Sequence, residues 1–153
     1  MEMPKPSAGH RKLEKLAGRW EGDEKMYPSP WDPDGGMAVG RMQGRVALDG
    51  FALITDYEQE RGGKVTFAGH GVFTFNPQED LYTLTWFDCI GSPPETFKGR
   101  CQDDVLVVVH DGPPVHVRLT YDFSEDGTLS KSMQISQDGE DWKRFFDGRL
   151  KRL

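Results

Sequence analysis

Tyr82, Leu84, Trp86 and Asp88 fall at alternate positions of one stretch, so as a strand they share a face. A carboxylate beside an indole and a phenol on one face suits a cavity or its mouth. There Trp86 would offer apolar area and Asp88 would accept a ligand's hydrogen bond. The competing reading makes Asp88 a turn former at the strand end. His70 lies between Gly69 and Gly71, a pattern that lets another group approach the backbone closely. It equally suits a histidine bonded across a sheet. His116, Arg118 and Thr120 share one face of a later strand, and Val117, Leu119, Tyr121 and Phe123 share the other. Facing inward, Arg118 would be a buried cation awaiting a carboxylate or phosphate; facing outward, it is a solvated side chain. Alternation alone leaves both open. Tyr57, between Asp56 and Glu58, and Trp20 complete this set of candidate ligand contacts.

No pattern fixes a reaction. The four histidines show no His-x-His or His-x-x-x-His spacing, and neither cysteine lies close to one, so no metal site is expected. A Gly-x-Ser-x-Gly elbow, a phosphate loop and a dinucleotide fingerprint are all missing from the sequence. Asp56, Glu58 and Asp88 could act as acids or bases, but nothing pairs them. Catalytic residues, cofactor and metal are therefore expected to be none.

The elements that must position these residues are strands. Residues 1–6 read as a loose arm held extended by Pro4 and Pro6. Residues 7–17 read as a short helix capped by Ser7, with Leu13, Leu16 and Ala17 on one face. Two to three turns are too short to stand alone, so this helix is expected to lie as a lid on a barrel end. Gly18-Arg19-Trp20 then turns the chain sharply and delivers a large apolar body. Strand patterns follow over 19–27, 37–48, 51–60, 65–75, 81–88, 96–102, 105–110, 115–123, 128–137 and 141–152. Short turn signals separate them, among them Asp49-Gly50, Gly62-Gly63 and Glu125-Asp126-Gly127. Residues 28–36, with three prolines and two glycines, form the long irregular loop. Trp31 within it reads as a lid over the mouth or as an anchor for the loop.

About ten strands in simple order predict an all-β fold: one up-and-down antiparallel barrel over 18–152, in a single domain of 1–153. Strands of about nine residues span roughly 30 Å, and ten of them enclose more than one layer of side chains fills. A flattened sandwich with a filled core is the alternative. The net charge of −6, from 19 basic and 25 acidic residues, gives no basic footprint for nucleic acid. No run approaches the roughly 18 apolar residues of a membrane span. The stretch Met1 to Pro6 has no apolar h-region, and two cysteines are too few for a disulfide framework, so a cytoplasmic protein with reduced thiols is expected. The expected quaternary state is a monomer or weak homodimer.

Several segments carry a resemblance: Lys12 to Trp20, Ser29 to Pro33, Leu48 to Phe51, Asp56 to Glu58, Gly69 to Gly71, Thr85 to Asp88 and Ser136 to Gly139. Gly18-x-Trp20 after a short helix resembles the first signature of lipocalins and their calycin relatives. The whole set resembles a bacterial family of lipocalin-like domains, domain of unknown function family 1579. The resemblance implies a calycin barrel and supplies no substrate or catalytic residue. By lipocalin resemblance a late basic residue, Arg149, would pack over Trp20. More distantly, the chain resembles fatty-acid-binding-protein-like barrels and nitrobindins, ten-stranded barrels that hold haem through a histidine on the last strand. The matching position falls near Phe145, and 142–153 contain no His, Cys or Met, so no haem is expected. Phe145 would instead form an apolar ligand-binding patch facing Trp20 and Trp86.

The function expected from this reading is binding of a small hydrophobic or amphipathic molecule in the barrel cavity. An enzyme of isomerase or cyclase type using that cavity, and a surface interaction module with a filled core, are the alternatives.

Overall fold

Alternating faces and short turns dictate sequential antiparallel pairing. A computed structural model describes all of residues 1–153 and shows that pairing carried to closure. The helix α1 (Ala8–Lys12) runs into a 3-10 turn (Leu13–Leu16). Ten strands follow: β1 (Gly18–Met26), β2 (Gly36–Ala47), β3 (Ala52–Arg61), β4 (Lys64–Asn76), β5 (Leu81–Asp88), β6 (Glu95–Gln102), β7 (Val105–His110), β8 (His116–Asp122), β9 (Thr128–Ser136) and β10 (Lys143–Arg152). Each pairs with the next, and β10 returns to β1, with Trp20 opposite Arg152 and Met26 opposite Phe146. Closure leaves no exposed strand edge. The sandwich alternative is thereby set aside. No helix is long and apolar enough to cross a membrane.

The helix lies where the pattern puts it, across one barrel end. Leu13 and Leu16 are buried there beside Trp20 and Leu53. Gly9 carries no Cβ because one would strike the Phe75 ring, and Tyr82 Oη donates to Gly9 O at 2.7 Å. Lys12 and Lys15 reach Asp104 on the β6–β7 turn at 2.5 and 2.7 Å. The arm expected to be loose is tied at its inner end, where Arg11 Nη1 donates to Pro6 O at 2.9 Å. The two-residue turn expected at Asp49-Gly50 is a three-residue 3-10 turn, Leu48–Gly50, all with positive φ.

Parity decides what faces inward. On β1 the inner row is Trp20, Gly22, Glu24 and Met26; on β9 it is Leu129, Lys131, Met133 and Ile135. Seventeen buried residues, among them Leu13 and Leu16 of the lid and Leu129 and Leu150 of the wall, form one apolar cluster. Toward the opposite end the inward residues Phe67, Trp86, Met133, Ile135 and Phe146 are only partly buried, so solvent reaches them.

Candidate functional site

The interior changes character at Glu24. Its side chain is fully buried, and its Oε1 accepts hydrogen bonds from Tyr57 Oη and from Gln59 Nε2, the latter at 3.1 Å. Glu24 fits because its neighbours across the sheet are small. A Cβ on Gly40 would collide with the carboxylate, and one on Gly148 would come within 2.9 Å of Cγ. Lys131, on the inner face of β9, places Nζ 3.7 Å from Glu24 Oε2 and 3.8 Å from the centre of the Tyr57 ring. Burial pushes the Lys131 ammonium below its ordinary range, with Glu24 partly opposing. Burial, with Glu24 beside it, pushes the Tyr57 phenol well above its ordinary range, and the same causes raise Tyr121. Tyr57 is thus a neutral donor, and Glu24 is the acceptor it serves.

From this group an aromatic row leads toward the open end. Tyr57 lies 6.1 Å from Phe67, and Phe67 stacks on Trp86 at 6.4 Å with 11° between the rings. Trp86 Nε1 donates to Asp88 Oδ2 at 3.0 Å. Gly69 leaves the space that Trp86 fills, since a Cβ there would strike the indole. Of the residues singled out in the sequence, Tyr57, Trp86 and Asp88 are brought together in this row. Trp20 stands apart at the floor, donating from Nε1 to Leu16 O at 3.1 Å.

The two open orientations, those of His70 and Arg118, resolve away from the interior, and two further placements, those of Phe145 and Arg149, differ from expectation. His70 faces outward, bonded to Asp56 Oδ1 at 2.7 Å, because Gly69 and Gly71 hold the inner positions of β4. Arg118 also faces outward; its guanidinium lies 4.3 Å over Trp142 and its Nε donates to Gln134 at 2.7 Å. Phe145 sits in the irregularity between Arg144 and Phe146, against Trp31 at 6.3 Å, and so does not face Trp20 and Trp86. Phe146 takes the inner position. The cation over Trp20 is Arg152, at 4.4 Å, whereas Arg149 points outward to Glu125 at 3.0 Å. Arg152 also donates to Ala17 O and Lys15 O at 2.8 and 3.0 Å, so it clamps the lid to the floor.

At the open end a recess of about 250 Å³ is lined by Trp31, Val115, Ile135, Asp141, Arg144 and Phe145. A larger hollow of about 460 Å³ lies along the wall of β1 to β4, where the charged Arg41, Asp56 and Glu58 line it together with Trp20, Met42 and Tyr57. Glu24, Gln59, Phe67 and Lys131 are the interior residues that reading for motifs passes over.

The inner face of β10 offers Phe146, Gly148 and Leu150, none of which can ligate iron, and His70 and His116 bond outward to Asp56 and Asp111. Haemin titration is expected to give no saturable Soret band; a sharp saturable band would overturn that expectation and point to another interior donor, such as Tyr57 or Met133.

The barrel resembles that of Rv2717c from M. tuberculosis, a solved structure, with a TM-score of 0.69 over 96% of this chain and 98% of that one. At 16% identity the likeness is one of fold. No curated protein matches the chain. The profile of DUF1579, described as a protein of unknown function, matches residues 5–152, and the chain belongs to that family.

Proposed function

We propose that the barrel binds a small amphipathic molecule, which enters at the open end and lies along the Tyr57, Phe67 and Trp86 row with its polar end toward Glu24 and Lys131. One observation carries this reading. An acid and a base are buried together at the inner end of an aromatic row whose outer part is solvent-accessible. A core selected for stability alone gains little from a buried ion pair, because desolvation offsets most of the attraction. Trp86 and Asp88 would contact the ligand nearer the mouth. Trp31 and Phe145 would cover the entrance, and Trp20 would form the floor below the polar group.

Native mass spectrometry of protein purified from its own source is the test. The expected result is a small-molecule adduct of constant mass that is lost on denaturation. Protein that arrives free of adduct, and stays free after exposure to an extract of its own cells, would overturn the reading.

The enzyme alternative draws on the same residues, since a phenol, a carboxylate and an amine within contact of one another could move a proton on a bound substrate. The released adduct separates the two. A binding protein returns it unchanged on rebinding, and an isomerase or cyclase converts it.

A further inference from the structure

The two oxygens of Glu24 are unequal. Oε1 has two donors, Tyr57 and Gln59. Oε2 is buried and has no hydrogen-bond donor, with Lys131 Nζ at 3.7 Å. A buried carboxylate oxygen left without a donor is unfavourable, so the position is suited to one supplied from outside the chain. An inward Cβ on Gly148 would lie 3.0 Å from Oε2, so this oxygen lies inside the barrel against β10. Glu24 is fully buried, so a donor from outside the chain reaches Oε2 by displacing the side chains packed around it.

The charges then restrict what can bind. Glu24 and Lys131 neutralise each other. A ligand carboxylate would meet the Glu24 charge, and a ligand ammonium would meet that of Lys131, each in a setting that screens little. A neutral hydroxyl meets neither difficulty. Its O–H donates to Oε2 while its oxygen accepts from Lys131 Nζ. Two partners 3.7 Å apart can both lie about 2.8 Å from one oxygen atom. The rings of Tyr57, Phe67 and Trp86 suit a flat or apolar body attached to that hydroxyl.

We propose that Glu24 and Lys131 together form a hydroxyl-recognition site, and that the barrel's ligand is a neutral alcohol or phenol with an apolar, aromatic-sized body. This rests on the binding reading above and narrows it to a ligand class.

The test uses three probes of one shape: 2-naphthalenemethanol, 2-naphthoate and 2-naphthylmethylammonium, each titrated calorimetrically into the full chain at neutral pH. The alcohol is expected to bind about tenfold or more tighter than either ion, the scale of one well-placed hydrogen bond. Glu24→Gln leaves Lys131 alone and should move the preference to the carboxylate. Lys131→Met leaves Glu24 alone and should move it to the ammonium. Glu24→Gln with Lys131→Met removes both charges at similar volume, and should fold even where a single variant does not. The double variant is expected to lose most of the discrimination. A wild-type protein that prefers either ion, or a double variant that discriminates as wild type does, would overturn the hydroxyl site and leave the binding reading intact. Failure of all three probes to bind would also overturn it, and the adduct experiment would then decide the broader reading alone.

Discussion

Trp20→Ala is expected to lower stability by about 3–5 kcal/mol, read as a shifted urea midpoint at unchanged slope. Trp20 is 2% exposed and sits between the lid and the core. Its truncation removes a large apolar contact and leaves a cavity that the closed sheet cannot collapse into. It also removes the Nε1 bond to Leu16 O and the ring beneath Arg152. Because Arg152 holds the carbonyls of Lys15 and Ala17, the lid loses its seat as well as its neighbour. Arg152→Met keeps the ring and the core and removes the cation and its two bonds, and should cost about 1 kcal/mol. Arg149→Met, on the outer face, should change little. If Trp20→Ala cost no more than Arg152→Met, the floor would be able to repack and Trp20 would not be its plug.

The strand order was legible because each turn carries its own chemistry. Asp-Gly and Gly-Gly pairs and proline clusters bound runs with period-2 alternation, and such runs joined by short turns have few other ways to bury their faces. The lid was legible from Leu13, Leu16 and Ala17 on one face. Parity on the last strand was not. Phe145, expected to face Trp20 and Trp86, gives way to its neighbour Phe146, and Arg149, implied over Trp20 by the lipocalin resemblance, gives way to Arg152 three residues on. The irregularity between Arg144 and Phe146 absorbs an extra residue, and Phe146, Gly148, Leu150 and Arg152 then hold the inner phase. A bulge leaves no reliable mark in a stretch rich in both charged and aromatic residues.

The buried polar group was legible in principle. Glu24 falls in phase with Trp20 and Met26, and Lys131 falls in phase with Leu129, Met133 and Ile135. Each is a single ionisable residue on an otherwise apolar or small-residue face, and the two have opposite signs. What the sequence could not supply is the distance between strands far apart in the chain, and hence that the two charges meet. The glycines that make room for Glu24, Gly40 and Gly148, likewise acquire meaning only once β2 and β10 flank β1.

Separating that pair should have the second large effect. Lys131→Met leaves the Glu24 carboxylate buried without its counter-charge and is expected to cost about 3–5 kcal/mol. Adding Glu24→Gln should recover most of the loss, because two neutral groups of similar volume no longer carry a desolvation penalty. The double-mutant cycle therefore gives a strongly positive coupling. The pH dependence supplies an independent check. Burial holds the folded-state pKa of Lys131 below its ordinary 10.5, so between the folded value and 10.5 the unfolded chain binds more protons. Stability from this group consequently rises with pH across that interval. Tyr57 and Tyr121 act oppositely, since burial and Glu24 raise both phenols above their ordinary 10. The folded chain keeps protons that the unfolded chain sheds, and stability from these groups falls above about pH 10. The wild-type profile of unfolding free energy should thus climb toward about pH 10 and then turn down. Lys131→Met should remove the climb and keep the downturn. If the wild-type and Lys131→Met profiles were parallel throughout, Lys131 would be titrating as an exposed lysine does, and the buried pair could not be the polar centre of the barrel.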